Sequence, residues 1–340
     1  MKILPHYFST NGPGAALAVV PDGLVAQVEC YGLADREAGV EITPETVFDL
    51  ASASKMFTAT GVVLLAEEGR LDLATPVVEV LPQLEHSGVG RPITVRDLLW
   101  HTSGLQDYLQ DGMYTPPEEA SAEFVDQQLP AWMREARPGV SHSYSNTNYF
   151  LLSKVLEAAA GCSYSEFLKA HLFAPLGLRD TFVAGGRSES KGIAKGYRNF
   201  GYGLPLFELS EELALDTVGD GGVFSSLRDL MAWQSALWKG ELVSEASLKL
   251  MQTPGHLDSG EAFDYGLGLQ VERSDDGRVW CGHGGSWTSS TVLVGRYVKE
   301  ETNLTLLSNE FMAPVERISQ RALALGEDPE ITPQSTTPQS

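Results

Sequence analysis

The sequence predicts an α/β fold of the α+β type, with an antiparallel sheet assembled from both ends of the chain. Three observations lead to this prediction: a hairpin pattern near the N-terminus, short strand patterns in the last third, and a mainly helical stretch between them. We therefore predict one discontinuous sheet domain, residues 1–72 with 215–326, and a mainly helical domain, residues 73–214. The Pro-, Ser- and Thr-rich residues 327–340 are predicted to form a disordered tail.

The N-terminal elements are a hairpin and a buried helix. The apolar residues 15–20 are followed by a turn signal at Pro21-Asp22-Gly23 and by a second strand pattern over residues 24–31. Residues 52–68 have a helical pattern that is apolar on most sides, which predicts a buried helix that Gly69 ends.

Later elements follow from the same signals. Two helices are predicted in the middle of the chain, over residues 151–160 and 165–173, and a closing helix over residues 313–325. Strands are predicted over residues 265–271, 278–283, 288–294 and 304–308, with a hairpin turn at Asp275-Asp276-Gly277. The N-terminal hairpin is expected to join the sheet that these strands form.

Composition excludes several classes of function. The 340 residues are 43% hydrophobic, and 45 acidic against 24 basic residues give a formal charge of −21, which argues against nucleic-acid binding. No apolar run is long enough to span a membrane, and residues 1–7 lack a secretory pattern, so we expect a cytoplasmic protein. Three cysteines without a CxxC pair argue against disulfides and a zinc site, and Cys281 is predicted to be a buried thiol.

The first chemical motif is Ser52-Ala53-Ser54-Lys55, at the start of the predicted buried helix. Its spacing puts the serine and the lysine on one helix face. A serine hydroxyl needs a base to become nucleophilic, and a lysine serves as that base only where its charged form is disfavoured, for example by burial. Free N–H groups at the helix start can also face an oxyanion. We predict that Ser52 is the nucleophile and that Lys55 activates it.

The chain contains a second match to this pattern, Ser188-Glu189-Ser190-Lys191, followed by Tyr197-Arg198-Asn199. Ser188 lies in a polar, glycine-containing stretch, and no apolar helix follows it. Such a loop gives a lysine no reason to be neutral at pH 7. The context, rather than the pattern, therefore selects Ser52.

Two further segments carry candidate site residues. Tyr144-Ser145-Asn146 offers a phenol that can relay protons and an amide that can orient a substrate. The alternative is a turn in which Tyr144 is packed and Asn146 caps a helix.

Gly282-His283-Gly284-Gly285-Ser286 ends a predicted strand, where glycines allow close approach of a substrate and the Ser286 N–H can be a second oxyanion donor. The alternative there is a glycine-rich turn with an exposed His283.

Together, these three motifs resemble the signature of the serine β-lactamase and penicillin-binding protein superfamily. A tyrosine in the second motif and a histidine in the third are similar to the branch with class C β-lactamases, D-Ala-D-Ala carboxypeptidases, D-aminopeptidases and related esterases. The resemblance covers about residues 12–310. The other similar segments are residues 46–51, 93–99, His101-Thr102-Ser103-Gly104-Leu105, 221–226 and 265–269.

The resemblance implies a β-lactamase/transpeptidase-like fold, in which an antiparallel sheet is flanked by helices and the active site lies in the groove beside a helical domain. It implies acyl transfer, in which Ser52 attacks a carbonyl and Lys55 and Tyr144 move protons, with either of the two as the principal base. No metal or organic cofactor is expected. The residues expected to bind substrate are Asn146, His283, Gly284, Gly285 and Ser286.

The sequence departs from class C β-lactamases, which usually carry lysine where this chain has His283. We therefore predict a serine hydrolase for a small amide or ester, of the D-amino-acid peptidase, amidase or esterase type. The alternatives are a β-lactamase, or a penicillin-binding sensor that acylates without efficient turnover. The bulky Trp287 after the third motif is expected to narrow the acyl pocket. The expected partner is a small-molecule amide or ester substrate, whereas nucleic acid is not expected, and the sequence does not indicate an oligomeric state.

Overall fold

The computed structural model describes residues 2–84, 90–110, 120–184, 192–198, 207–208, 216–274 and 276–326. Within these ranges the main sheet has six strands, and each neighbouring pair is antiparallel. In spatial order they are β12 (Gln270–Arg273), β13 (Val279–Trp287), β14 (Ser290–Tyr297), β15 (Thr302–Ser308), β1 (Ala15–Pro21) and β2 (Gln27–Tyr31). The α+β prediction is confirmed, and the N-terminal hairpin joins the C-terminal strands with Ala15 opposite Ser308.

Shorter strands form small sheets around this one. They are β3 (Leu33–Asp35), β4 (Val40–Glu41), β5 (Val47–Asp49), β6 (Phe182–Val183), β7 (Tyr197–Arg198), β8 (Phe207–Glu208), β9 (Val223–Ser226), β10 (Gly255–His256) and β11 (Ala262–Phe263). β5 and β6 both pair with β9 in a three-stranded sheet, whereas β3 pairs with β4, β7 with β8, and β10 with β11.

The α-helices of the described ranges are α1 (Ser54–Glu67), α2 (Val77–Val80), α3 (Val95–Leu99), α4 (Ala122–Glu135), α5 (Asn146–Ala160), α6 (Tyr164–Leu168), α7 (Leu227–Trp238), α8 (Glu245–Met251) and α9 (Val315–Gly326). As predicted, α1 is buried nearly all round, and Gly69 follows it with φ +68°. A helix in that position can carry reactive groups into the interior of the protein. None of the described helices is long and apolar enough to cross a membrane.

Helix α5 begins five residues earlier than the apolar pattern predicts. Its first turn contains Asn146, Thr147 and Asn148, which are weak helix formers. Their side chains bind the preceding loop instead: Tyr108 N–H donates to Thr147 Oγ1 at 3.1 Å, and Ser103 Oγ lies 2.5 Å from Asn148 Oδ1. Tertiary hydrogen bonds therefore extend the helix to the segment that carries the second motif.

The strand predicted over residues 265–271 is largely wrong, because β12 begins only at Gln270. Gly268 has φ +72°, and a Cβ at this position would collide with Ala59 of α1. The close approach to α1 requires a loop in which glycine is indispensable. The predicted two-domain division stays a prediction. The predicted disordered tail lies outside the described residues, and so does the whole of the second Ser-x-x-Lys match, residues 188–191.

Candidate active site

Ser52 lies in a 3₁₀ turn, Ala51–Ala53, between β5 and α1. Ala51 adopts φ +45°, a left-handed conformation that costs a residue with a Cβ about 1–2 kcal/mol. The turn is held by its neighbours, because Ala51 N–H donates to Asp49 Oδ1 at 2.9 Å and Leu50 N–H donates to the Val223 carbonyl at 3.0 Å. A strained turn that is held from both sides fixes the direction of the Ser52 side chain.

Lys55 is fully buried, and its ammonium has three oxygen neighbours. Nζ donates to Ser52 Oγ at 3.1 Å, to Asn146 Oδ1 at 2.8 Å and to the Asp220 carbonyl at 2.7 Å. The amide and backbone oxygens can only accept, so they always occupy two N–H groups of Lys55. The remaining position of the nitrogen faces Ser52, and a neutral Lys55 therefore presents its lone pair to the serine hydroxyl.

The structure also brings Tyr144 next to Lys55. Lys55 Nζ lies 5.0 Å from the centre of the Tyr144 ring and 5.7 Å from that of Tyr149, so the ammonium contacts two aromatic rings. Tyr144 is 37% exposed, and among the described residues its hydroxyl forms no hydrogen bond. The ring is thus placed at the predicted site, while its role as a proton relay stays a prediction.

His283 is in strand β13 and only 1% exposed, which excludes the alternative of an exposed turn residue. Nδ1 lies 2.5 Å from the Gly284 carbonyl, which can only accept, so Nδ1 carries the proton. Nε2 then accepts from the Tyr265 hydroxyl at 3.0 Å. Burial, followed by the charge of Lys55, lowers the pKa of His283 to about 3. The ring is therefore neutral near pH 7, and both of its nitrogens form hydrogen bonds within the protein. Its role in substrate binding stays a prediction.

The edge of β13 beyond His283 lies beside the turn that carries Ser52. β12 pairs with β13 only as far as Gly282, and among the described residues no strand covers that edge further on. Gly284 N–H points to this side, since it donates to Gln270 Oε1 at 3.0 Å. Because backbone groups alternate along a strand, the N–H and C=O of Ser286 point to the same open side. This is the side on which the sequence predicts a second oxyanion donor.

Gly285 allows the strand to lie against the turn that carries Ser52. A Cβ at this position would collide with the Leu50 carbonyl oxygen and lie 3.1 Å from Ala53 N. At Gly284, by contrast, the nearest atoms to an added Cβ are 3.8 Å away. The two neighbouring glycines of the third motif therefore have different roles: Gly285 sets the distance from β13 to Ser52, and Gly284 has space for a side chain.

We expect Gly285→Ala to slow acylation of Ser52 by about 10²-fold, because a displacement near 1 Å of a positioned group has an effect of this size. Gly284→Ala is the matched variant and should cause a smaller loss, since its methyl group fits. The acylation rate constants of both variants, measured by stopped-flow with an activated ester, check this. Equal rates for the two variants would contradict the packing role of Gly285.

A cleft with about 490 Å³ of empty space, including its mouth, opens beside Ser52. Asn146, Ser286 and Trp287 line it together with Ser52, so residues of all three motifs meet there. Trp287 lies at the wall, where the sequence predicts that it narrows the acyl pocket. The side chains of Lys55 and His283 are buried, and neither residue lines this cleft.

The sequence does not identify His101 as a site residue, although the segment that contains it resembles the superfamily. His101 is fully buried; its Nδ1 accepts from Ser145 N–H at 3.2 Å and lies 3.1 Å from Asn148 Nδ2. Its ring centre is 4.4 Å from that of Tyr144. Burial, with the charge of Lys55, holds the pKa of His101 well below its usual value, so the ring is neutral. Its position indicates that it holds the second motif in place.

Asp220 was also missed, because its contribution is a backbone carbonyl. Its carboxyl group is buried and accepts from the Tyr108 hydroxyl at 2.6 Å, which anchors the chain where the carbonyl meets Lys55. Burial raises the pKa of this carboxyl, and Lys55 opposes the shift. Only the neighbouring glycine-rich segment, residues 221–226, gave a signal in the sequence.

Comparison with known proteins gives three kinds of similarity. The family model described as Beta-lactamase matches residues 6–325. The chain is 34% identical over 331 residues to penicillin-binding protein 4* of Bacillus subtilis (strain 168), covering 91% of this chain and 72% of that protein. It is 29% identical over 352 residues to a D-aminopeptidase of Gluconobacter oxydans (strain 621H), covering 99% of this chain but only 63% of that enzyme, less than two thirds of its length.

Among solved structures, the chain is similar to the D-amino acid amidase from Ochrobactrum anthropi SV3 in complex with L-phenylalanine. The TM-score is 0.75 at 25% sequence identity, with 92% of this chain and 93% of the amidase covered. The likeness therefore extends over nearly the whole of both chains.

Proposed function

The chain belongs to the beta-lactamase family, and from this premise we propose that it is a serine hydrolase that cleaves small amide or ester substrates through an acyl-enzyme on Ser52. The observation that carries the proposal is the position of Lys55. Its buried nitrogen lies 3.1 Å from Ser52 Oγ, and its other two contacts are fixed acceptors. That arrangement supports the transfer of a proton from the serine to the lysine.

The proposed reaction has two halves. Ser52 Oγ attacks the substrate carbonyl carbon while its proton passes to Lys55, and the N–H groups of Ser52 and Ser286 stabilise the oxyanion. As the tetrahedral intermediate collapses, the proton passes to the leaving amine or alcohol, directly or through Tyr144. Water then attacks the ester carbonyl of acylated Ser52 and gives a proton to Lys55. As the bond between the acyl carbon and Ser52 Oγ breaks, Lys55 returns this proton to Oγ, which releases the acid and regenerates the serine.

The names of the relatives support amides of D-amino acids as the first substrates to try. Both a D-aminopeptidase and a D-amino acid amidase are similar to this chain over more than nine tenths of its length. Both names imply that an amide bond is cut next to a D-amino-acid residue. We therefore propose such amides as substrates ahead of β-lactams. His283 supports this order, because class C β-lactamases usually carry lysine at that position.

A substrate panel tests the proposal. D-alanyl p-nitroanilide should be hydrolysed with steady-state turnover and faster than its L-alanyl counterpart, which is the matched control. p-Nitrophenyl esters and a chromogenic cephalosporin complete the panel. Turnover of the cephalosporin alone would indicate a β-lactamase. A burst of one equivalent without a steady state would indicate a sensor, and no reaction with any compound would overturn the proposal.

A further inference from the structure

Asp107, which none of the sequence motifs includes, holds the second motif by its side chain. Its Oδ1 accepts from the backbone N–H of Asn146 at 3.0 Å. Its two carboxylate oxygens lie 3.3 and 3.1 Å from Asn146 Nδ2. The side-chain nitrogen of Asn146 thus donates to the Asp107 carboxylate, while its side-chain oxygen accepts from Lys55 Nζ.

The chemistry of these partners fixes which way the Asn146 amide points. A carboxylate only accepts hydrogen bonds, so the amide nitrogen must face Asp107. A charged lysine only donates, so the amide oxygen must face Lys55. The reverse orientation would put two acceptors against each other at Asp107 and two donors against each other at Lys55. Asp107 therefore disfavours the flipped amide.

We infer that Asp107 is a positioning residue: its carboxylate keeps Asn146 Oδ1 on Lys55 and thereby leaves the lone pair of neutral Lys55 directed at Ser52. In a flipped amide, Nδ2–H would face Lys55 and would donate to that lone pair in competition with the Ser52 hydroxyl. A proton-accepting lysine would then be held in an unproductive arrangement. This inference rests on the proposed function, because it concerns the activation of Ser52.

The loop that carries Asp107 is also held by hydrogen bonds that do not involve the Asp107 carboxylate. Ser145 Oγ donates to the Gln106 carbonyl at 3.2 Å, and Tyr108 N–H donates to Thr147 Oγ1 at 3.1 Å. These bonds on either side of Asp107 remain when its carboxylate is removed. The variants at this position are therefore expected to keep the loop and the start of α5 in place.

The test compares Asp107→Leu with Asp107→Asn in the full-length chain. Leucine removes both acceptors, whereas asparagine keeps one oxygen for the Asn146 nitrogens. With p-nitrophenyl acetate as the acyl donor, we expect Asp107→Leu to lower the acylation rate constant of Ser52 about 10- to 100-fold, the usual effect of a hydrogen bond to a charged group. Asp107→Asn should restore most of that loss.

Asp72→Leu is the matched control for folding. Asp107 Oδ1 also accepts from Leu109 N–H at 3.1 Å, and Asp72 Oδ1 makes the equivalent turn bond to Ala74 N–H at 2.8 Å, away from the cleft. Asp72→Leu loses the same kind of turn bond as Asp107→Leu, so it should lower the thermal midpoint slightly but keep the wild-type acylation rate. In an Asn146→Ala background, Asp107→Leu should cause no further loss in the acylation rate, because the side-chain amide through which Asp107 acts on Lys55 is gone.

The outcomes separate the inference from the proposed function. Wild-type protein that is acylated by no probe would overturn both. Wild-type acylation that is unchanged by Asp107→Leu would overturn the inference alone. So would an Asp107→Asn variant as slow as Asp107→Leu, or a full effect of Asp107→Leu in the Asn146→Ala background.

Discussion

Ser52→Ala is expected to abolish hydrolysis of every substrate that the wild-type protein cleaves, with a loss in kcat of about 10⁴- to 10⁶-fold, as for other nucleophiles that act in a unit with their base. The alanine methyl group fits the turn between β5 and α1, and Lys55 keeps its bonds to Asn146 and Asp220. The loss should therefore appear in steady-state rates without a large fall in thermal midpoint.

The chain supplies the matched control for this variant. Ser188 has the same relation to Lys191 that Ser52 has to Lys55, but it lies outside the apolar helical context. Ser188→Ala should retain wild-type rates on the whole substrate panel. If Ser52→Ala kept most of its activity while Ser188→Ala lost it, the second match would be the true nucleophile.

Lys55→Met should lose nearly as much activity as Ser52→Ala, because the serine and its base act together. Methionine has a similar length and no charge, so it fills the buried space but accepts no proton. It also leaves Asn146 Oδ1 and the Asp220 carbonyl without their donor, and each such buried group costs about 1–3 kcal/mol. A lower free energy of unfolding should therefore accompany the loss of activity.

Two measurements separate these effects. Urea denaturation gives the free energy of unfolding, and burst kinetics in the absence of denaturant give the acylation rate of the folded fraction. The control is Lys154→Met, which removes an exposed ion pair with Asp126 and should change neither quantity appreciably. Folded Lys55→Met protein that acylates at a near wild-type rate would contradict the role of Lys55 as the base.

Local patterns were sufficient for most of the fold. A turn signal predicted the hairpin of β1 and β2, and an apolar run with a glycine at its end predicted α1. Both elements form through interactions between residues that are close in sequence. The start of α5 and the loop over residues 265–269 were not predictable in this way. The first depends on hydrogen bonds to residues 103 and 108, and the second on close contact with α1.

The same distinction applies to the site. Ser52 and Lys55 are one helical turn apart, so their spacing indicated that they meet. Asp107, His101 and the Asp220 carbonyl reach the second motif or Lys55 from distant parts of the chain, and no pattern in the sequence relates them. The burial of His283 was equally hidden, since its glycine-rich surroundings are compatible with an exposed turn. Tertiary contacts decide these features.

The central claim is that Ser52 is the residue that becomes acylated, and its most direct test is the mapping of a covalent adduct. After reaction with a fluorophosphonate, tryptic cleavage at Arg36 and Lys55 releases residues 37–55, whereas the second match lies in the separate peptide of residues 188–191. Fragmentation of the first peptide distinguishes Ser52 from Ser54. We predict one adduct per chain, on Ser52, which Ser52→Ala abolishes. An adduct on Ser188, on Ser54 or on another residue, with Ser52 unmodified, would contradict the claim.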